Sequence, residues 1–87
     1  RDFSLLVPDE VTFERIRAAV EALKIAGMRA FRPVEIFRGG AVPAGRYSLL
    51  LRATFQAADH TLRDDEVAAW ASRIVQALEA LGASLRS

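Results

Sequence analysis

Cysteine is absent from all 87 residues. No disulfide can staple the chain and no thiolate can hold a metal. Histidine occurs once, as His60. Beside Asp59 in a turn, it lacks the held partner and pocket that general acid–base catalysis requires. It reads as a solvated turn residue. No His or Cys pair stands at ligand spacing, and Asp59, Asp64, Asp65 and Glu66 lack the loop of oxygen ligands that calcium takes. An excess of one charge is missing too, since 12 basic and 11 acidic residues leave a net +1. That argues against a binder held to nucleic acid mainly by phosphate attraction and leaves room for a local basic patch. No run of ~18 apolar residues spans a membrane. No secretory signal is visible. The first residue is Arg1 and not methionine, so we expect one domain, residues 1–87, taken from a longer protein.

Hydrophobic residues make up 52% of the chain, ample for a core. A domain this small buries only ~60–65% of the surface its unfolded chain exposes, so helices packed on a sheet must supply the stability. Phe3, Leu5 and Val7 alternate with Asp2, Ser4 and Leu6, which predicts a half-buried first strand. Pro8 ends it. Thr12 suits an N-cap, and Phe13, Ile16, Val20 and Leu23 recur at helical spacing. This predicts a helix from Thr12 to about Ala26, with Gly27 as a left-handed cap.

Arg29 to Arg38 reads as a second strand interrupted by Pro33, hence an edge strand or a bulged one. Phe31 and Val34 both suit the core, and a bulge near Arg32–Pro33 would reconcile their parity. Arg38 to Arg46 is too long for a tight hairpin and too short for a crossover helix, so the strands it joins should be antiparallel neighbours. Its glycines Gly39, Gly40 and Gly45 lie between two strands, so they read as turn residues and not as a phosphate loop. Arg46 to Gln56 is the most regular strand, with Leu49, Leu51, Ala53 and Phe55 on one side. Asp64-Asp65-Glu66 suit the positive end of a second helix. That helix carries Val67, Trp70, Ala71, Ile74, Leu78 and Leu81 on its buried stripe and closes at Gly82. Ala83 to Arg86 makes a short last strand.

The order βαββαβ predicts an α+β, ferredoxin-like sandwich, a four-stranded antiparallel sheet with two helices on one face. The other face stays open. This fold serves many functions, so the residues must decide. The open face carries Glu35, Phe37, Ser48 and Arg52 by strand parity.

Glu35-Ile36-Phe37-Arg38-Gly39, then Val42-Pro43-Ala44-Gly45-Arg46-Tyr47-Ser48-Leu49, then Thr61-Leu62 and Asp64-Asp65-Glu66-Val67 form a specific combination. With Arg1-Asp2-Phe3-Ser4-Leu5 upstream, nearly the whole chain resembles the C-terminal ferredoxin-fold anticodon-binding domain of bacterial phenylalanine–tRNA ligase β subunits. The resemblance implies that the open face meets the anticodon loop of tRNA(Phe). It further implies a domain at the C-terminus of a ligase chain with no active site of its own, in a cytoplasmic (αβ)₂ assembly with the α subunit and the rest of the β chain. The parent would use ATP and magnesium; this domain needs no cofactor and no membrane. The family's contact positions fall on Ser4, where a small residue is common, on Glu35 and Phe37, where Asp and Tyr are usual, and on Ser48. Arg63 stands where the family prefers Thr or Ser.

The chemistry agrees. Guanine opens the phenylalanine anticodon and offers two adjacent donors that a carboxylate such as Glu35 can accept. Phe37 can stack on a base, and Ser48 can bond a base edge or a 2′-hydroxyl. Arg38, Arg46 and Arg52 are candidates for phosphate contact or stacking. Two plainer readings stay open. Glu35 and Arg52 would form a cross-strand pair worth under ~1 kcal/mol, and Phe37 would pack under the Gly39–Gly45 loop. The alternative function is a protein-interaction or small-ligand module, its open face, with Leu6 and Leu50, packed on a partner. An acylphosphatase-type enzyme would need a basic phosphate loop after the first strand, where this chain has acidic Val7-Pro8-Asp9-Glu10.

Overall fold

A computed structural model describes residues 1–86; Ser87, the last residue of the expected domain, lies outside the described residues. The elements run β1 (Asp2–Pro8), α1 (Phe13–Glu21), β2 (Met28–Phe37), β3 (Arg46–Phe55), α2 (Asp64–Ala80) and β4 (Ser84–Leu85). The strands lie in the order β2-β3-β1-β4, each antiparallel to its neighbours. This is the expected ferredoxin-like sandwich, with β2 at one edge.

The alternation in the sequence becomes the two sides of the sheet. Phe3, Leu5 and Val7 of β1 and Tyr47, Leu49, Leu51 and Ala53 of β3 are buried under the helices. Ile16 and Val20 of α1 and Ala71, Ile74 and Leu78 of α2 meet them. The Tyr47 hydroxyl is the one polar group carried into this layer from β3. It donates to the Val11 carbonyl at 2.6 Å. A buried hydroxyl without that acceptor would cost about 1–3 kcal/mol.

Helix α1 starts as expected, with Thr12 Oγ1 accepting from the Arg15 amide. It ends sooner, at Glu21, and the positive φ falls on Lys24 (51°) and not on Gly27. Gly27 is needed for a different reason. A β-carbon there would run into the Trp70 ring. The indole lies against the bare backbone and tilts onto Phe55, with ring centroids 5.5 Å apart. Helix α2 ends in a Schellman motif. Gly82, at φ 98°, gives its amide to Glu79, and Ala83 gives its amide to Leu78. At its other end Arg63 occupies the cap. A guanidinium only donates, so just one half of a capping box forms, with Glu66 accepting from the Arg63 amide at 3.1 Å.

The bulge in β2 falls between Pro33 and Glu35, one step later than expected. Pro33 therefore faces inward opposite Leu51, and Val34 is the extra residue, left exposed instead of joining the core. Phe31 keeps its inward place, half-buried and stacked on Phe13. Past the bulge the strand outruns the helices. Ile36 points to the helix side opposite Leu49 yet stays 53% exposed. The bulge also decides the site, because it resets parity so that Glu35 and Phe37 share the open face with Ser48 and Leu50.

Candidate nucleic-acid interface

Registers place the open-face side chains in rows. Glu35 stands opposite Leu50, and Leu50 opposite Ser4. Phe37 stands opposite Ser48, and Ser48 opposite Leu6. Ser4, Glu35, Phe37, Ser48 and Leu50, with Arg86, line a shallow hollow of about 250 Å³. Four of the seven expected site residues thus meet in one place.

Phe37 and Glu35 are the uncommitted members. Phe37 is 57% exposed, so it does not pack under the loop. Among the described residues Glu35 takes part in no hydrogen bond or ion pair, and the suspected pair with Arg52 does not form. Arg52 instead grips Asp2 with two bonds, Nε to Oδ1 at 2.8 Å and Nη2 to Oδ2 at 3.0 Å. That grip holds the Asp2 carboxyl below its ordinary pKa.

The other arginines are likewise engaged. Arg38 donates to Asp9 at 2.9 Å and lies over the Tyr47 ring, 4.7 Å from its centroid, on the helix side. It clamps the β2–β3 loop onto the β1–α1 turn. Arg46 donates to the Gly82 carbonyl at 3.1 Å. Neither lines the hollow.

Two basic residues near the hollow were not expected. Arg32 pairs in register with Arg52 across β2 and β3, so it shares the open face. Arg86 gives its amide to the Ser4 carbonyl at 2.8 Å and its Nη1 to Ser48 Oγ at 2.9 Å. The register, and not the sequence, places Arg86. With Leu85 set opposite Leu5, the next residue must face the open side. A two-residue strand is too short for periodicity to reveal it.

A bare, polar sheet face backed by two helices defines a sheet-surface binding module. The ferredoxin-fold anticodon binding domain family matches residues 1–86, and the chain belongs to it. Among curated relatives, the phenylalanine–tRNA ligase beta subunit of Symbiobacterium thermophilum is 36% identical over 87 residues, covering 100% of this chain and 10% of the relative. The beta subunit of Rhodospirillum rubrum is 38% identical over 88 residues, 100% of this chain and 11% of the relative. That of Geobacter sulfurreducens is 32% identical over 87 residues, 99% of this chain and 11% of the relative. The chain spans about a tenth of the length of the curated relatives it matches. Among the described residues no helix is long and apolar enough to cross a membrane, and no cluster of His, Cys, Asp and Glu is placed to hold a metal.

Proposed function

We propose that this chain reads the anticodon loop of tRNA(Phe) on its open sheet face, as the terminal domain of a phenylalanine–tRNA ligase β chain. Amino-acid attachment, with ATP and magnesium, would take place in other parts of a cytoplasmic (αβ)₂ enzyme. The observation that carries this reading is the hollow, where a carboxylate with no partner among the described residues, an exposed aromatic ring and two hydroxyls converge. Phe37 offers a stacking platform for a splayed base, worth ~1–3 kcal/mol. Glu35 accepts from the N1–H and N2–H of guanine. Ser4 and Ser48 complete the edge.

The near-neutral charge fits this role. Affinity drawn from stacking and base edges needs few phosphate contacts, and Arg38, Arg46 and Arg52 are already engaged within the fold. The packed-partner alternative is less well supported. Leu6 and Leu50 are already half-buried among their neighbours, which leaves polar groups to dominate the open face.

The test is an NMR titration of the chain at low salt with an anticodon stem-loop that begins with guanine, then with that base changed to uracil. Shifts should gather at Ser4, Glu35, Phe37 and Ser48 and weaken with uracil. Phe37→Ala and Glu35→Ala should each weaken binding about tenfold. Unchanged binding by both variants would remove the proposed contact face.

A further inference from the structure

A second cleft, of about 370 Å³, opens where β2 begins and β3 ends, and it shares no residue with the hollow. Gly27, Arg29, Gln56, Asp59, His60 and Trp70 line it. Its apolar wall is Trp70. One part of the indole rests on bare Gly27 and tilts onto Phe55, yet the residue is only half-buried, so ring surface is left for a ligand. The one cation not already paired is Arg29. Met28 pairs with Phe55 and Ala30 with Thr54, which makes Arg29 the extra residue of a second bulge. A bulge re-aims a side chain, and Arg29 is brought to the cleft. Among the described residues its guanidinium has no hydrogen bond or ion pair, unlike those of Arg38, Arg46 and Arg52. Asp59 supplies the opposite charge. Its side chain is 87% exposed and it bonds His60 through Oδ1, so the carboxylate keeps lone pairs to offer. The His60 ring has nothing left to give, since its two nitrogens meet Asp59 and Glu66.

We propose that this cleft binds a free α-amino acid with a large apolar side chain. The two charges decide the class. A simple anion would meet Asp59, and a simple cation would meet Arg29. An uncharged apolar molecule would strip water from both without replacing it. A zwitterion matches the pair. Its carboxylate fits the planar fork of Arg29, and its ammonium donates to Asp59. The apolar side chain then covers the free surface of the Trp70 ring. Gln56 adds an amide that can donate or accept. The size suits such a ligand, since small-molecule sites measure ~300–1,000 Å³. Arg29 and Asp59 are exposed, so their pairs with the ligand are solvated and the affinity should be millimolar. The proposal stands apart from anticodon reading, because it uses other residues and needs no RNA.

Trp70 is the single tryptophan, so its fluorescence reports on this cleft alone. The experiment follows that signal, and the Gly27 and Gln56 amides by NMR, while the chain is titrated with four probes. L-Leucine carries both charges and the side chain. 4-Methylpentanoate keeps the side chain and the carboxylate, and 3-methylbutylamine keeps the side chain and the ammonium. Glycine keeps both charges and loses the side chain. Leucine should bind saturably in the millimolar range, and each of the other three about fivefold more weakly. Arg29→Gln should reduce leucine to the affinity of 3-methylbutylamine and leave that of 3-methylbutylamine unchanged. Asp59→Asn should reduce leucine to the affinity of 4-methylpentanoate. Both residues are exposed, so the circular dichroism of both variants should match that of the unaltered chain. If leucine and its two singly charged analogues bind alike, the cleft holds an apolar body without reading its charges and the proposal is overturned. It is overturned equally if leucine gives no saturable shift, or if neither variant weakens it. Loss of anticodon binding would leave all of these outcomes unchanged.

Discussion

The two sides of β3 differ in how completely their bonding capacity is used. Tyr47, Leu49, Leu51 and Ala53 face the helices, and the only polar group among these side chains is matched by Val11. Ser48, Leu50 and Arg52 face outward. There, among the described residues, the Ser48 hydroxyl only accepts, from Arg86, and Glu35 on the next strand has no partner. The same ten residues thus supply stability on one side and an open, polar surface on the other. In a domain this small the division is sharp, because net stability is only ~5–15 kcal/mol and no inward position can be spared for function.

Breaking the covered side should have the largest effect. Ile74 is fully buried on α2, and Ile74→Asp would leave a charge with no partner in the core. The cost, about 4 kcal/mol or more, is most of the available stability. We expect loss of the cooperative unfolding transition in circular dichroism, and a normal transition would refute this account of the core. Gly27→Val comes next. The added methyls would drive Trp70 off the backbone, an overpacking cost of about 1–3 kcal/mol. Chemical denaturation should show it as a lower midpoint, with Trp70 fluorescence shifted toward that of a solvated indole.

Phe37→Ala sharpens the contrast from the other side. The ring is 57% exposed, so its removal should change stability by no more than about 0.5 kcal/mol while tRNA binding weakens. A large loss of stability would mean that Phe37 belongs to the packing and not to the interface.

How much of this was legible in the sequence follows from which interactions are periodic. Strand parity placed Ser4, Glu35, Phe37 and Ser48 on one face, and the structure gathers those four around one hollow. Pro33 announced a bulge, and only the structure fixed Val34 as the extra residue. Gly27 was misread because a glycine after a helix suggests a cap, while its real constraint comes from Trp70, 43 positions away. The arginines were the least legible. A guanidinium at the end of a flexible side chain pairs with whatever the loops bring near it. For Arg38 that is Asp9, for Arg52 it is Asp2, and for Arg86 it is Ser48. None of these pairings follows from spacing.

The smallest expected effect lies outside both faces of the sheet. His60 Nδ1 is 2.7 Å from Asp59 Oδ1, and Nε2 is 2.9 Å from Glu66 Oε2. Two carboxylates can both be satisfied only if both ring nitrogens carry protons, so the cluster is complete for the imidazolium. Accordingly the bond to Glu66, and next the bond to Asp59, raise the His60 pKa above its ordinary 6.5. Bonding to His60 lowers both carboxyl pKa values. A raised folded pKa means that the histidine's contribution is fully present below pH 6.5 and fades as pH climbs through the folded value. The carboxylates behave oppositely. Their contribution is present above their ordinary values, 3.8 for Asp59 and 4.5 for Glu66, and is lost as pH falls through the lowered ones. The cluster therefore works best between about pH 4.5 and 6.5. All three groups are solvated, so salt should screen the effect. We expect the thermal midpoint of the unaltered chain to exceed that of His60→Gln by about 1–2 °C at pH 5.5, and by less at higher pH or in 1 M salt. A difference that does not shrink as pH rises would assign His60 a packing role, and no difference at pH 5.5 would mean that the cluster is too well solvated to hold the start of α2.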